Sequence, residues 1–246
     1  MIKRGCLIDW RENALDTRQM DDLAAVIAHF HKAAEICSQG GGRKLIDTVI
    51  DSNDVCFAEF GENIFGSNEV HQLTKSSKAY SSAIGVTLDA RAKQGQVRHC
   101  HGDLHLRNIV LIDGIPMLFD AIEFDQDLAE IDVLYDLAFL LMDLDHRDLR
   151  PLANVVLNRY LDLMDDTAGI AFLPLFISVR AAVRAHVSGA VAMTQASGDE
   201  RESLMAEAQT YLATARANLN PPAPALVAIG GLSGSGKSLL ARGLAP

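Results

Sequence analysis

The sequence predicts a mainly α-helical (α+β) domain followed by the start of a second, α/β domain. Most of the first 219 residues place apolar side chains at helical spacing, and two short apolar runs on either side of Asp113–Gly114 predict one small β-hairpin. At 220–225 the composition changes to NPPAPA, which is typical of a stiff linker. We therefore predict a helical domain over 1–219, a linker over 220–225 and the beginning of another domain over 226–246.

Composition and charge exclude several classes of protein. The 246 residues are 49% hydrophobic, which is enough for one sizeable core. The formal net charge of −10 argues against nucleic acid or an anionic membrane as a partner, because both require a basic surface. The four cysteines form no C-x-x-C pair, and no apolar run is long enough for a membrane span or a signal peptide. We therefore expect a cytoplasmic protein with reduced thiols.

The individual helices follow from apolar periodicity. Residues 20–38 form an amphipathic pattern that ends at the glycine-rich stretch SQGGGRK, which we interpret as a flexible connection. Residues 45–95 carry shorter and weaker helical patterns. Residues 130–144 are apolar on nearly every side, which predicts a helix in the centre of the domain. Further helices are predicted over 150–164, over 171–194 with Pro174 near its start, and over 200–218.

Three polar residues around the predicted hairpin have the types and the order that phosphoryl transfer requires. His101, Asp103 and Asn108 fit the pattern H-x-D-x-x-x-x-N, and Asp120 ends the second apolar run. A carboxylate can accept the proton of an attacking hydroxyl, while an amide and a second carboxylate hold magnesium against nucleotide phosphates. Each residue alone is also compatible with a turn or a strand end. Their combination favours a catalytic site.

A second candidate nucleotide site lies near the end of the sequence. The segment LVAIGGLSGSGKSLLARGLAP reads as a strand, a glycine-rich loop and a helix, and it fits the P-loop pattern G-x-x-x-x-G-K-[ST]. Backbone N–H groups of such a loop surround phosphate oxygens, and its lysine reaches the β- and γ-phosphates. A glycine-rich turn with an incidental lysine is the alternative. The predicted nucleotide-binding residues are Gly231, Ser233, Gly234, Ser235, Gly236, Lys237 and Ser238, with Ser238 also a magnesium ligand.

The stretches HGDLHLRN, LFDAIEFD and DVLYDLAFL resemble those of the aminoglycoside-phosphotransferase-like kinases. The resemblance covers roughly residues 15–218 and implies the helical C-terminal lobe of a protein-kinase-like fold. It implies that Asp103 is the catalytic base and that Asn108 and Asp120 bind Mg²⁺. ATP is then the expected phosphate donor.

The same resemblance implies supporting roles and a substrate class. His101, His105 and Asp136 are expected to support the catalytic loop rather than to react. Gly102 stands where protein kinases usually carry an arginine that contacts a phosphorylated activation loop, which favours a small hydroxylated molecule as the acceptor.

With the P-loop behind it, the chain is similar to uncharacterised bacterial proteins that fuse such a lobe to a P-loop kinase-like ATPase domain. No G-x-G-x-x-G loop and no lysine–glutamate pair of an ATP-covering lobe is found upstream of residue 20. We therefore expect the N-terminal lobe and the rest of the P-loop domain to come from the same longer protein or from another chain.

Three functions are compatible with the sequence. The first is ATP- and Mg²⁺-dependent transfer of a γ-phosphate to a small hydroxylated molecule, with little activity expected from this chain alone. The second is a P-loop ATP-binding protein whose kinase-like lobe binds a ligand without catalysis, and the third is an inactive truncated product. Arg180 and Arg184 are interpreted as a solvated or salt-bridged helix face, with binding of an anionic substrate as the alternative.

Overall fold

A computed structural model describes residues 15–37, 41–60, 64–123, 126–221 and 227–244 of the chain. The described part is mainly helical, as the sequence predicts, and it contains two small antiparallel sheets. In chain order its helices and strands are α1 (Thr17–Ala33), α2 (Gly42–Phe60), α3 (Ser67–Lys93), β1 (Val97–His99), β2 (Ile109–Ile112), β3 (Ile115–Leu118), α4 (Gln126–Ala129), β4 (Glu130–Asp132), α5 (Val133–His146), α6 (Arg150–Met164), α7 (Leu173–Thr194), α8 (Gly198–Asn218) and α9 (Lys237–Leu244).

Helix α1 confirms the amphipathic helix predicted near the start of the chain. Its N-terminus is a capping box, in which Asp16 accepts a hydrogen bond from the Gln19 N–H at 2.7 Å and the Gln19 side chain accepts one from the Asp16 N–H at 3.1 Å. Leu23 and Ile27 lie on its buried stripe. The helix ends at Ala33 rather than at 38, because the next residue is extended; residues 38–40 of the predicted connection lie outside the described residues.

The helical character predicted over 45–95 is confirmed, but the region forms two long helices, α2 and α3, where the sequence shows only short and weak patterns. The buried side of α3 includes Ser77, Ser81 and Gly85, and a Cβ at Gly85 would approach the Arg43 side chain of α2 to 2.6 Å. Small residues of this kind let two helices approach closely, but they give no apolar periodicity in the sequence. The close packing of α2 and α3 through small residues therefore explains why the apolar pattern of this region is weak.

Helix α5 is the predicted central helix, but it begins later than expected. Residues 130–132 form β4, which pairs with β1, and the helix starts at Val133 because the Asp132 carboxylate accepts a hydrogen bond from the Leu134 N–H at 2.9 Å. Every residue from 133 to 144 is buried. A helix buried on all sides fixes the position of any polar group that it carries.

A buried arginine fastens α3 to the start of α5. Arg91 donates hydrogen bonds of 2.7 to 2.9 Å to the carboxylates of Asp132 and Asp166, two to each. Burial alone would lower the pKa of Arg91, but these hydrogen bonds raise its pKa above its ordinary value. The guanidinium therefore stays charged and holds β4 and the start of α5 in place.

Helices α6, α7 and α8 lie where the sequence predicts them, with Pro174 in the first turn of α7. Contrary to the expectation from the sequence, one span among the described residues, Thr167–Thr194, is long and apolar enough by composition to cross a membrane. However, 61% of its most apolar window is buried inside the fold, which is compatible with the core helix of a soluble protein.

The last described segment differs in part from its prediction. Helix α9 forms after the glycine-rich loop, but residues 227–232 form no strand, so that part of the prediction is wrong. A strand requires a neighbouring strand to pair with, and none of the described residues offers one here. Residues 222–225, most of the predicted linker, lie outside the described residues, as does residue 226.

Candidate active site

The loop at 101–108 joins the two small sheets at the centre of the candidate site. It leaves β1, turns at Gly102, whose φ is +80°, and ends in a short 3₁₀ turn over Leu106–Asn108 that leads into β2. A Cβ at Gly102 would lie 3.0 Å from the Leu128 carbonyl oxygen, so both space and backbone conformation favour glycine there. The loop is therefore a tight structure rather than a flexible surface turn.

Asp103 and Asn108 are joined directly within this loop. Asn108 Nδ2 donates to Asp103 Oδ2 at 2.8 Å and to the Asp103 carbonyl oxygen at 3.0 Å. His105 Nδ1 accepts the Arg107 N–H at 3.1 Å, so its Nε2 carries the proton and lies 3.3 Å from Asp103 Oδ2. Burial tends to raise the pKa of Asp103, but the hydrogen bonds from His105 and Asn108 outweigh it and hold that pKa below its ordinary value.

The hairpin brings Asp120 to the same end of the site. Strands β2 and β3 pair as expected, with Asp113 and Gly114 both at positive φ, 52° and 80°, in the turn. The Phe119 N–H donates to the Asn108 carbonyl oxygen at 3.1 Å, which places Asp120 one residue beyond that contact. Asp120 is exposed and has a φ of 61°, an uncommon conformation for an aspartate.

Asp136 fixes the start of the loop through two backbone hydrogen bonds. Its carboxylate is fully buried in α5 and accepts hydrogen bonds from the backbone N–H groups of His101 at 3.1 Å and Gly102 at 2.9 Å. Burial tends to raise the pKa of Asp136, but the hydrogen bond from His31 and the nearby positive charges, Arg180 among them, together outweigh it and lower that pKa. His101 itself is buried, and its Nε2 lies 2.9 Å from the Phe119 carbonyl oxygen of the hairpin.

Three further residues support the loop and were missed in the sequence. His31 Nε2 lies 3.1 Å from Asp136 Oδ2, and its Nδ1 lies 2.7 Å from the Tyr160 hydroxyl. Asp143, two turns beyond Asp136 on α5, accepts the Leu106 N–H at 2.9 Å. The signal for Asp143 was present, because a carboxylate inside an apolar helix must find a partner. Nothing local identifies His31 or Tyr160, whose partners are distant in the sequence.

Arg180 is buried and faces a carboxylate, so the salt-bridged interpretation of its helix face is confirmed and the solvated one is wrong. Its side chain is 9% exposed, and its guanidinium stacks over the rings of Tyr135 at 4.0 Å and Phe139 at 4.9 Å. The guanidinium Nη2 lies 3.9 Å from Asp136 Oδ1, so its positive charge faces the carboxylate that holds the loop. Arg184, one turn further, lies over the Tyr211 ring at 5.6 Å.

The donor chemistry of the site fits a magnesium ion at the hairpin end. Asn108 uses its amide N–H on Asp103, which leaves its amide oxygen available, and Asp120 offers an exposed carboxylate. In the described residues, His31, Cys100 and Asp136 also form a buried group of possible metal ligands. Each of these three is already hydrogen-bonded, with the Cys100 thiol donating to the Ile131 carbonyl oxygen, so they serve as internal support.

The glycine-rich loop is a separate and exposed structure. Gly234 and Gly236 have φ values of +76° and +78°, and α9 begins directly after them at Lys237. Ser235 Oγ and Lys237 Nζ both donate to the Leu232 carbonyl oxygen, at 2.8 and 2.5 Å. Ser233 and the rest of the loop from 231 to 236 are exposed, as is Ser238. The structure therefore keeps the predicted P-loop residues together.

Comparison with known proteins finds relatives of about twice the matched length. No family model matches the chain. It is 30% identical over 235 residues to the uncharacterized protein Mb2027c of Mycobacterium bovis and to the uncharacterized proteins MT2060 and Rv2004c of Mycobacterium tuberculosis. Each alignment covers 92% of this chain and 45% of the relative, so the chain spans about half the length of the curated relatives that it matches.

Proposed function

We propose that the chain carries the catalytic lobe of an ATP- and Mg²⁺-dependent phosphotransferase with a protein-kinase-like fold. The reaction is transfer of the γ-phosphate to a hydroxyl of a small molecule. The observation that carries the proposal is the 2.8 Å hydrogen bond between Asn108 Nδ2 and Asp103 Oδ2 at the end of the hairpin that carries Asp120. A base and two oxygen ligands at one end of a fixed hairpin are the parts that phosphoryl transfer requires.

Asp103 is suited to the role of general base. Its lowered pKa keeps the carboxylate ionised at neutral pH. Among the described residues, both side-chain contacts to this carboxylate fall on Oδ2, so Oδ1 is the oxygen to accept the proton of the acceptor hydroxyl. His105 and Asn108 orient the group through Oδ2, which separates the orienting oxygen from the reacting one.

Asn108 and Asp120 are the proposed magnesium ligands. Their oxygens belong to the ligand type that Mg²⁺ prefers, and the ion would bind the phosphates of ATP beside Asp103. Bound Mg²⁺ would neutralise charge on the transferred phosphoryl group. The chain's own part is to hold these two oxygens and the base in fixed relative positions.

The test is Mg²⁺-dependent phosphate release from ATP, with water as the acceptor. We expect Asp103→Asn to abolish release while Mg²⁺–ATP binding, measured by calorimetry, stays largely intact. Asp120→Ala should remove binding, whereas Asp113→Asn, an exposed positive-φ aspartate at the other end of the hairpin, should not. Unchanged release in Asp103→Asn would disprove the proposal, and no release from the longer protein that contains this chain would favour the inactive product.

A second function is favoured by the glycine-rich loop. Its positive-φ glycines and the helix beginning at Lys237 have the form of an anion-binding loop, which supports ATP binding there with Lys237 and Ser238 on the phosphates and Mg²⁺. In that case the kinase-like lobe would bind a ligand without catalysis. Lys237→Ala should then abolish ATP binding while Asp120→Ala leaves it unchanged.

The remaining parts of both nucleotide sites are proposed to lie outside this chain. The matched relatives are about twice as long as the aligned segment, which supports an ATP-covering lobe and further P-loop strands in the same longer protein or in another chain. The acidic composition does not favour nucleic acid or a membrane as partner, and the free thiols of Cys37, Cys56 and Cys100 support a cytoplasmic protein. The small hydroxylated substrate is proposed from the resemblance at Gly102. Size-exclusion chromatography of the longer protein, and of a version that lacks this chain's residues, would test whether the missing parts lie in the same protein.

A further inference from the structure

His31 lies at the inner end of the hydrogen-bond chain that reaches the proposed catalytic loop. It comes from α1, and its side chain is fully buried. One ring nitrogen, Nε2, faces Asp136 Oδ2 at 3.1 Å, and the other, Nδ1, faces the Tyr160 hydroxyl at 2.7 Å. The ring therefore connects three helices, α1, α5 and α6, through two polar contacts.

The hydrogen bonds that Asp136 accepts show which ring nitrogen of His31 must carry a proton. The carboxylate accepts backbone N–H groups on both oxygens, from His101 on Oδ2 and from Gly102 on Oδ1. The Arg180 guanidinium, 3.9 Å from Oδ1, compensates its negative charge. An ionised carboxylate can only accept, so the contact with His31 requires that Nε2 carries a hydrogen.

The buried phenol of Tyr160 decides the state of the other nitrogen. Among the described residues, His31 Nδ1 is the hydrogen-bond partner that this hydroxyl has. If Nδ1 were protonated as well, the phenol proton would be buried without an acceptor, which is costly. Both groups have a hydrogen-bond partner when Nδ1 is unprotonated and accepts a hydrogen bond from the Tyr160 hydroxyl.

We propose that His31 is a positioning residue for the loop at 101–108, as a neutral Nε2–H tautomer whose hydrogen bond fixes the Asp136 carboxylate. Through Asp136 the ring holds the His101 and Gly102 amides, and so it orients Asp103 one residue further. The effect on catalysis rests on the proposed function, whereas the effect on the loop does not. Tyr160 selects the tautomer.

The test is hydrogen exchange at the His101 and Gly102 amides in the intact chain. His31→Gln keeps an N–H donor near the Nε2 position, whereas His31→Leu removes it. We expect exchange to accelerate about tenfold or more in His31→Leu and to stay near the wild-type rate in His31→Gln. Amides in the middle of α8 serve as the internal control. Equal exchange in wild type and His31→Leu, or equal acceleration in both variants, would overturn the proposal.

A measurement on the unaltered protein covers the case in which His31→Leu does not fold. Nitrogen-15 NMR of the His31 ring should show a protonated Nε2 and an unprotonated Nδ1 at neutral pH. An imidazolium or an Nδ1–H tautomer would contradict the assignment. In Tyr160→Phe, loss of the hydroxyl should change the Nδ1 signal while Nε2 remains protonated.

Catalysis is then a separate readout. If the chain releases phosphate from ATP, His31→Leu should lower kcat with KM for ATP unchanged, and His31→Gln should restore kcat. If the longer protein that contains this chain releases none, the proposed function fails, but the exchange and NMR results still decide the role of His31.

Discussion

The two loops with phosphate-binding patterns are held in opposite ways. The backbone N–H groups of the loop at 101–108 donate hydrogen bonds to Asp136 and Asp143, two buried carboxylates on a helix more than thirty positions away. The glycine-rich loop at 231–236 is exposed, and its side-chain hydrogen bonds return to its own Leu232 carbonyl oxygen. Removal of long-range hydrogen bonds lowers the free energy of unfolding of the whole domain. A loop that is bonded only to itself does not contribute to the stability of the helical body. The first loop is therefore built as part of the core.

The largest difference between the loops should appear when the buried support is removed. Asp136→Ala leaves two backbone amides, His31 and Arg180 without their carboxylate, and we expect a loss of about 3–5 kcal/mol in the free energy of unfolding. Urea unfolding followed by circular dichroism measures it. Asp145→Asn, at an exposed position of the same helix, is the matched control. A loss below 1 kcal/mol would mean that the loop does not depend on Asp136.

Acid should weaken the helical body and leave the exposed loop unaffected. Burial lowers the pKa of His186, whose Nε2 lies 3.1 Å from Asn53 Oδ1, to about 4 from 6.5. Between these two pKa values the unfolded chain binds more protons, so stability falls as the pH falls, by roughly 3 kcal/mol. Urea midpoints at several pH values measure this. His186→Gln should reduce the slope, whereas the same change at the exposed His29 should not; equal slopes would contradict the assignment.

Removal of the second support should have a smaller effect. Asp143→Ala deprives the Leu106 N–H and the Arg147 side chain of their acceptor, for an expected loss of about 1–3 kcal/mol. Hydrogen exchange at Leu106 should accelerate more than exchange at Gly102, because Asp136 remains in place. Equal acceleration at both amides would show that the loop moves as one unit.

The smallest effect is expected at the exposed loop. Lys237→Ala removes a hydrogen bond to the Leu232 carbonyl oxygen at the surface, so the free energy of unfolding of the helical body should change by less than about 0.5 kcal/mol. The same urea unfolding experiment measures it. A loss comparable to that of Asp136→Ala would mean that the glycine-rich loop packs on the body.

The sequence could predict local features of the fold but not its long-range contacts. The turn at Asp113–Gly114 and the central helix are local patterns, and both could be predicted. The contact of His31 with Asp136 joins residues 105 positions apart, so no spacing could reveal it. The strand expected before the glycine-rich loop failed for a related reason, since an apolar run becomes a strand only beside another strand.

The residues of the candidate site divide in the same way. The pattern at Asp103, Asn108 and Asp120 was visible because hairpin geometry brings its ends together. The sequence could not separate a solvated Arg180 from a salt-bridged one, because its neighbours, the rings of Tyr135 and Phe139, belong to another helix. Helical spacing shows which residues share a face, but not whether that face is buried.

The central claim is that phosphoryl chemistry belongs to the loop at 101–108 and not to the glycine-rich loop. The most direct measurement is the rate of Mg²⁺-dependent phosphate release from ATP by Asp103→Asn, Lys237→Ala and the double variant, prepared in parallel. We expect no release from either protein with Asp103→Asn and a rate near that of the wild type from Lys237→Ala. Retained release in Asp103→Asn together with loss in Lys237→Ala would contradict the account.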